Sequence, residues 1–431
     1  VDLLVKAIKN NLQGIFKMPG DKSIAHRSLI IGALPKGSYR VYNFPNNLDC
    51  NSTLKCMEKL GIKIKKHRDI LSVTSPGYDN LNKNPKVLDA GNSGTTVRLL
   101  SGVLSGASIK AKFIGDDSLK KRPMARIINP LTQMGASIKS NNNFIPLEFL
   151  EHEGLEAIEY IMEVPSAQVK SCILLASLKA KGKTKIIEKQ FTRDHTERML
   201  KYLGAFIDVK ENVITIEKSK IKSKDIYVPG DISSAAFLIC AALIYEDSNI
   251  KIENVLLNEK RCGFIQVLKS MGANIKIEIK HILNGEEIGD VYVKSSNLKA
   301  IKVDKDIIPN IIDEIPVLSV VASFSEGITT FESVDELKYK ECDRIAAILD
   351  NLKACDVNCK YENSSLIIEG NKNYINKTIK IKTFNDHRIA LAFLVLSLKN
   401  KENTIIENFN CTEISFKNVL DYFPIEYEKL N

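Results

Sequence analysis

One pattern recurs along the chain and limits what it can fold into. An amphipathic helical stretch ends at Leu or Met, then come Gly, a small residue and a short β-like run. It stands as Met57-Glu58-Lys59-Leu60-Gly61-Ile62-Lys63-Ile64 and returns as Leu131-Thr132-Gln133-Met134-Gly135-Ala136-Ser137-Ile138. Further copies are Leu200-Lys201-Tyr202-Leu203-Gly204-Ala205-Phe206-Ile207 and Leu268-Lys269-Ser270-Met271-Gly272-Ala273-Asn274-Ile275. A weaker copy runs Leu349 to Val357, and the weakest lies at Val419–Phe423. The step is about 70–80 residues. A helix that ends at a Gly free to turn left-handed sends the chain back into a strand. Such junctions occur throughout α/β proteins, but four good copies at similar spacing point to true repetition. Six units in 431 residues predict two compact α/β domains of three units each, because each unit is longer than a solenoid repeat.

A second recurrence bears on chemistry. Several predicted helices open with small polar residues and continue with an apolar body. Gly20-Asp21-Lys22-Ser23 precedes Ile24–Leu34, and Gly91-Asn92-Ser93-Gly94-Thr95-Thr96 precedes Val97–Leu104. Pro165-Ser166-Ala167-Gln168, Gly230-Asp231-Ile232-Ser233-Ser234 and Asn385-Asp386-His387-Arg388 do the same farther on. The first helical N–H groups lack internal partners and attract phosphate or carboxylate. A single start of this kind is an ordinary N-cap. Five, with cations beside them, suggest a site for small multiply charged anions.

The cations are Lys22, Arg27, Arg98, Arg122, Lys340, Arg344 and Arg388. If Lys340-Glu341-Cys342-Asp343-Arg344 is helical, Lys340 and Arg344 share a face, with Glu341 beside it. That motif could hold a carboxylate among cations or be a surface ion-pair ladder. Asp313 and Glu314 follow an apolar run, where a carboxylate could cap the next helix or act as a base.

Other classes fit poorly. The charge is +9, but the lysines are dispersed rather than gathered into a stripe with aromatics, so no nucleic-acid role is expected. The longest apolar runs, Phe237–Tyr245 and Ile389–Leu398, are too short to span a membrane and are predicted as buried helices. Val1 to Asn10 lack a signal-peptide pattern. The nine cysteines are scattered, with Cys355 and Cys359 at a predicted helix-to-strand junction, so neither zinc nor disulfides are expected and a reducing cytosol is. Gly20-Asp21-Lys22-Ser23 is superficially similar to a P-loop, but Asp21 intervenes and Gly14 is one position too far.

Met18-Pro19-Gly20-Asp21-Lys22-Ser23-Ile24-Ala25-His26-Arg27 resembles the N-terminal signature of the 3-phosphoshikimate 1-carboxyvinyltransferase (EPSP synthase) family. So do Asp89–Arg98, Val164–Ser171, Val228–Asp231, Lys340–Arg344 and Asn385–Arg388, in family order. The Ser-Ala-Gln and Gly-Asn-Ser-Gly-Thr-Thr forms are similar to the bacterial class II branch. The resemblance implies an α/β fold of two domains, each with three βαβαββ repeats around a pseudo-threefold axis. The expected domains are residues 1–18 plus 231–431 and residues 19–230, with the active site in the cleft between them.

The resemblance also implies a reaction. Phosphoenolpyruvate and shikimate 3-phosphate give 5-enolpyruvylshikimate 3-phosphate and phosphate by addition and elimination, with no metal or organic cofactor. It implies that Lys22, Ser23, Arg27, Ser166, Ala167 (through its backbone), Gln168, Thr192, Asp313 and Lys340 bind shikimate 3-phosphate. Lys22, Gly94, Arg122, Gln168, Arg344 and Arg388 would grip phosphoenolpyruvate. Asp313 would take the 5-hydroxyl proton, Glu341 would protonate C3, and Lys22 would reach both substrates. Glyphosate, an inhibitor of the family, would need room beside Gly94. The implied protein is a cytoplasmic monomer without nucleic-acid or membrane partners.

Some positions depart from the enteric members. Ala167 replaces a serine, His195 a tyrosine, Glu336 an asparagine and Leu99 a proline. Ile414 stands where a lysine is expected, and Lys417 is out of register. The nearest rival, the enolpyruvyl transferase acting on UDP-N-acetylglucosamine, uses a cysteine loop that would fall at Asp116–Met124, where no cysteine stands. A basic repeat protein without catalysis would not need Asp313 and Glu341 among cations.

Overall fold

The computed structural model describes residues 1–6, 11–371 and 375–430. Residues 7–10, part of the 1–18 segment expected in one domain, lie outside the described residues. The chain divides into two compact units: Gly20–Pro229 with Ile282–Glu286, and Val1–Pro19, Gly230–His281 and Glu287–Asn431.

The first unit, Gly20–Pro229 with Ile282–Glu286, holds helices α1 (Lys22–Ile30), α2 (Leu48–Lys59), α3 (Gly94–Gly106), α4 (Ala125–Gln133), α5 (Ala167–Ser177) and α6 (His195–Leu203). Its middle repeat shows the plan. Strand Lys86–Asp89 leads through α3 to a parallel neighbour, Ala111–Ile114, and α4 leads on to the antiparallel pair Ser137–Asn141 and Phe144–Leu150. The repeat containing α5 and α6 has the same order. The repeat of α1 and α2 lacks an opening strand of its own; Ile226–Tyr227, from the far end of the unit, pairs parallel with Gly37–Tyr42 in that place. Asp21 N donates to Pro229 O at 2.7 Å where the chain enters and leaves.

The second unit repeats the plan with α7 (Ile232–Ile244), α8 (Gly263–Ser270), α9 (Ile308–Ile311), α10 (Ile315–Ser323), α11 (Arg344–Ala354) and α12 (His387–Ser397). Two of its sheets borrow strands from the N-terminus. Gln13–Lys17 runs parallel to Asn249–Leu256, and Asp2–Val5 lies between Thr404–Ile406 and Tyr427–Leu430.

Two kinds of helix result. All residues of α7, α10 and α12 are buried, and α3 and α5 are nearly so. The apolar runs therefore form a helical interior rather than a membrane span. Removing one such side chain, as in Leu238→Ala, costs about 2–5 kcal/mol through lost transfer energy and the cavity left behind. By contrast, α4 buries only Ile127, Ile128, Pro130 and Leu131 along one stripe, the pattern of an outer helix.

The junction glycines do what the repeat requires. Gly61, Gly135, Gly204 and Gly272 have φ of +93°, +104°, +95° and +97°, a region costly for other residues. In the weaker fifth copy Asp356 takes the left-handed position, at φ +60°. The sixth has only a 3₁₀ turn, Val419–Tyr422, and Pro424 follows closely. Cys355 caps α11 and Cys359 opens the next strand.

One boundary differs from the sequence expectation, which put all of 231–431 in one domain. Ile282–Glu286, a hairpin tip, packs with the first unit. Asn284 Nδ2 donates to Tyr227 O at 2.6 Å, Arg198 Nη1 to Gly285 O at 3.1 Å, and Glu286 Oε1 meets His195 Nδ1 at 2.7 Å. The five residues of this hairpin tip find polar partners in the first unit while its two strands stay in their own sheet.

Candidate active site

The five polar starts are all N-termini of inner helices, and each carries a side-chain cap. Asp21 accepts from Ile24 N at 2.8 Å, Ser93 from Thr96 N at 3.2 Å and Ser166 from Val169 N at 3.4 Å. Asp231 accepts from Ser233 N and Asp386 from Arg388 N, both at 2.8 Å. Capping is thus one use of these residues. The charged groups around them go further.

In the first unit, Lys22 opens α1 and its ammonium lies 3.0 Å from Asp49 Oδ2. Ser23 is half-buried beside it. Arg27, 3% exposed, points inward: Nε donates to Thr196 Oγ1 at 2.8 Å, Nη1 to Ser23 O at 3.0 Å and Nη2 to Ser171 Oγ at 3.0 Å. Thr192 is also buried, and its N–H and hydroxyl both donate to Glu188 Oε1. Ser166, Ala167 and Gln168 at the head of α5 are half-buried.

The start of α3 gathers a second set. Gln168 Nε2 donates to Thr95 Oγ1 at 2.9 Å, and its Oε1 accepts from Arg98 Nη1 at 2.5 Å. Arg122 Nη2 donates to Asn92 Oδ1 at 2.8 Å and to Ser118 Oγ at 3.2 Å. A methyl built on Gly94 would meet Arg122 Nη1 at 3.4 Å and Arg98 Nη1 at 3.5 Å. The bare glycine therefore sits between two guanidinium groups on a helix N-terminus, a strong combination for an anion.

In the second unit the carboxylates and cations interlock. Arg344 Nε donates to Asp386 Oδ2 at 2.8 Å and Nη2 to Glu341 Oε2 at 2.6 Å, while Nη1 lies 3.5 Å from Asp313 Oδ1. Arg388 Nη1 donates to Asp313 O at 2.8 Å and lies 3.5 Å from Glu314 Oε1; its Nη2 is 3.8 Å from Asp313 Oδ2. Burial disfavours the Arg344 charge, yet Asp386, Glu341 and Asp313 together hold its pKa above the ordinary arginine value. Lys340 moves the other way: burial lowers its pKa, Asp313 opposes that, and Arg344 adds to it.

The structure decides between two pairs of alternatives. Lys340–Cys342 is a bend, not a helix, and Asp343 caps α11 by accepting from Ala346 N at 3.1 Å; the shared helical face of Lys340 and Arg344 does not exist. Nor does Asp313 or Glu314 cap α10, whose start has no side-chain cap. Both turn to the arginines instead.

Several groups had no role assigned from sequence. Asp386 orients Arg344 and caps α12 at once. Arg98 holds the Gln168 side chain through its Nη1. Lys170 is fully buried, and its one signal in the sequence is that it is the only charged residue of α5. His195 is buried against Glu286, and Glu336 lies half-buried in the 3₁₀ turn Asp335–Tyr339. Leu99 is core, Ile414 half-buried and Lys417 exposed. Among the described residues no group of His, Cys, Asp and Glu is placed to hold a metal ion, and no helix is long and apolar enough to cross a membrane.

Two units of three βαβαββ repeats, with arginines and carboxylates at the heads of inner helices, define the enolpyruvyl transferase class. The enolpyruvyl transferase NikO from Streptomyces tendae shares the fold at a TM-score of 0.79 over 99% of this chain and 98% of that one, with 15% identity. The chain belongs to the EPSP synthase (3-phosphoshikimate 1-carboxyvinyltransferase) family, whose model matches residues 6–423. It is 53% identical to the 3-phosphoshikimate 1-carboxyvinyltransferase of Clostridium tetani over 98% of this chain and 96% of that protein. The EPSP synthase structure from Acinetobacter baumannii matches with a TM-score of 0.88 and 36% identity, covering both chains fully.

Proposed function

We infer that this chain is a transferase that moves the enolpyruvyl group of phosphoenolpyruvate to the 5-hydroxyl of shikimate 3-phosphate, giving 5-enolpyruvylshikimate 3-phosphate and phosphate for aromatic amino-acid biosynthesis. Family membership over nearly the whole length supports the reaction. The observation that carries the chemistry is the Asp313–Arg344–Glu341 cluster, two carboxylates of the expected proton-transfer set held by one buried guanidinium.

The residue roles follow from what the reaction needs. Lys22, Ser23, Arg27, Ser166, Ala167, Gln168 and Thr192 serve shikimate 3-phosphate, as do Asp313 and Lys340. Arg27 and Thr192 are buried and bound to protein groups, so both shape this part of the site and Arg27 also charges it. Gly94, Arg122, Gln168, Arg344 and Arg388 serve phosphoenolpyruvate, with Lys22 reaching both substrates. Arginine forks match carboxylate and phosphate oxygens two at a time.

In the addition step the 5-hydroxyl oxygen bonds to C2 of phosphoenolpyruvate and its proton passes to Asp313, while Glu341 delivers a proton to C3. The tetrahedral ketal phosphate then loses phosphate, Glu341 regains the C3 proton, and the hydroxyl proton held by Asp313 leaves with the phosphate. Negative charge builds on the phosphate oxygens as the C2–O bond breaks in the elimination, where preorganised cations act most strongly. The protein is read as a cytoplasmic monomer; the scattered free cysteines support a reducing compartment.

Phosphate release from phosphoenolpyruvate tests the reading. It should require shikimate 3-phosphate and fail with UDP-N-acetylglucosamine. Release with the sugar nucleotide alone would overturn it.

A further inference from the structure

Beneath the two groups of substrate residues in the first unit runs a chain of buried polar side chains that the reaction does not use. His26, on α1 next to Arg27, has its Nδ1 2.6 Å from Thr53 Oγ1 on α2. Thr53 Oγ1 lies 2.7 Å from Thr96 Oγ1 on α3. Thr96 Oγ1 in turn donates to Ser93 Oγ at 2.7 Å, and Ser93 is the residue that caps α3. All four residues are 0% exposed.

The chain has a direction. Ser93 Oγ accepts from both the N–H and the hydroxyl of Thr96, so the Thr96 proton points toward the cap. Thr53 must then donate to Thr96, and His26 Nδ1–H to Thr53. The far nitrogen agrees: His26 Nε2 is buried with no hydrogen-bond partner among the described residues. A lone pair left there costs less than a stranded N–H, so the proton belongs on Nδ1. Burial first, then Lys22 and Arg27, press the His26 pKa well below its usual value, which keeps the ring neutral and the tautomer defined.

The end of the chain is functional ground. The Ser93 cap sets where α3 begins, and the next two residues are Gly94 and Thr95. Thr95 Oγ1 accepts from Gln168, whose oxygen accepts from Arg98. We infer that His26 is a positioning residue for phosphoenolpyruvate: through Thr53 and Thr96 it fixes the Ser93 cap, and with it the Gly94, Gln168 and Arg98 constellation, from the helix that carries Lys22, Ser23 and Arg27. This rests on the reading above that Gly94, Arg122 and Gln168 serve phosphoenolpyruvate.

Thr53 gives a clean test, because valine keeps its shape and removes its hydroxyl while serine keeps the hydroxyl. In the full chain, Thr53→Val, which breaks the buried hydrogen bonds to both His26 and Thr96, should raise KM for phosphoenolpyruvate about tenfold. KM for shikimate 3-phosphate should move less than about twofold, and Thr53→Ser should restore the phosphoenolpyruvate value. His26→Leu should match Thr53→Val, and the double variant should add little, because both cut one chain. Should His26→Leu not fold, the Thr53 pair decides alone. Equal kinetics for the valine and serine variants, or an equal rise in both KM values, would overturn the inference while leaving the reaction intact. A wild-type chain that turns over neither substrate would refute the functional reading itself, and this inference with it.

Discussion

Lys170 and Glu197 meet at 2.6 Å in the interior of the first unit, with Glu188 Oε1 3.0 Å from the same ammonium. Lys170 is 0% exposed, and its two partners are nearly as deep. Burial works against the Lys170 charge, but Glu197 and Glu188 more than offset it and its pKa is raised. The same Glu188 oxygen takes both Thr192 hydrogen bonds, so the ion cluster also anchors Thr192. Lys170→Met should therefore destabilise the protein by about 3–5 kcal/mol, the cost of leaving buried carboxylates without their cation. Denaturant unfolding measures this, and a loss under about 1 kcal/mol would show that the ammonium is dispensable.

Glu197 gives the cluster a pH dependence. One ammonium is shared by two carboxylates, and burial raises the Glu197 pKa despite Lys170. The folded state then holds a proton that the unfolded chain has lost, so wild-type stability falls as pH rises from the ordinary glutamate value to the raised one. Below that window both states are protonated and the effect vanishes. Glu197→Gln removes the titration. Its stability relative to wild type should rise with pH across that window and then level off; a pH-independent difference in denaturation midpoints would disprove the shift.

The repeat was readable because backbone conformation leaves a strong mark: a left-handed turn after a helix selects Gly, and Gly61, Gly135, Gly204 and Gly272 announced it. Where Asp356 fills that position, or a 3₁₀ turn replaces the helix at Val419–Tyr422, the mark fades. The helix starts were legible for the same reason, since a cap and its small neighbours are local. What stayed hidden was long-range. Nothing near Asp386 in sequence tells that Arg344 will donate to it, and the Glu286 contact with His195 comes from a hairpin 91 positions away. Whether Lys340–Arg344 is helical was not legible, because spacing alone cannot show that Asp343 caps the helix one residue later.

Gly94→Ala separates fold from ligand. The added methyl meets Arg122 Nη1 at 3.4 Å and Arg98 Nη1 at 3.5 Å, ordinary contact distances, so thermal stability should hold. The methyl would still occupy space between the two guanidinium groups. KM for phosphoenolpyruvate and the inhibition constant of glyphosate should both rise, the latter by more than about tenfold, since overpacking a tight site costs about 1–3 kcal/mol. Steady-state inhibition against phosphoenolpyruvate checks this, and unchanged inhibition would remove Gly94 from the pocket.

Glu341→Gln tests proton transfer apart from binding. The amide keeps the size of the side chain and an oxygen that can still accept from Arg344, now without charge. It cannot deliver a carboxyl proton to C3. Turnover should drop by at least about 10²-fold, the usual contribution of a positioned general acid. Equilibrium binding of shikimate 3-phosphate should stay within a few-fold of wild type. Strong residual turnover would exclude Glu341 as the proton donor.

Lys22→Met probes the one cation proposed to reach both substrates, and its structural partner complicates the experiment. Lys22 Nζ lies 3.0 Å from Asp49 Oδ2, and Asp49 is 7% exposed. Removing the ammonium leaves that carboxylate buried beside an apolar side chain, so Lys22→Met should lose stability as well as activity. Adding Asp49→Asn removes the stranded charge and should recover most of the stability. If Lys22 only held α1 against α2, the double variant would also recover its kinetics. If Lys22 meets both substrates, KM for each should stay raised and kcat should stay down by about 10²-fold or more in the double variant, because the lost charge stabilised the reacting phosphate. Thermal melts and steady-state kinetics on the two variants together decide which of these roles the ammonium has.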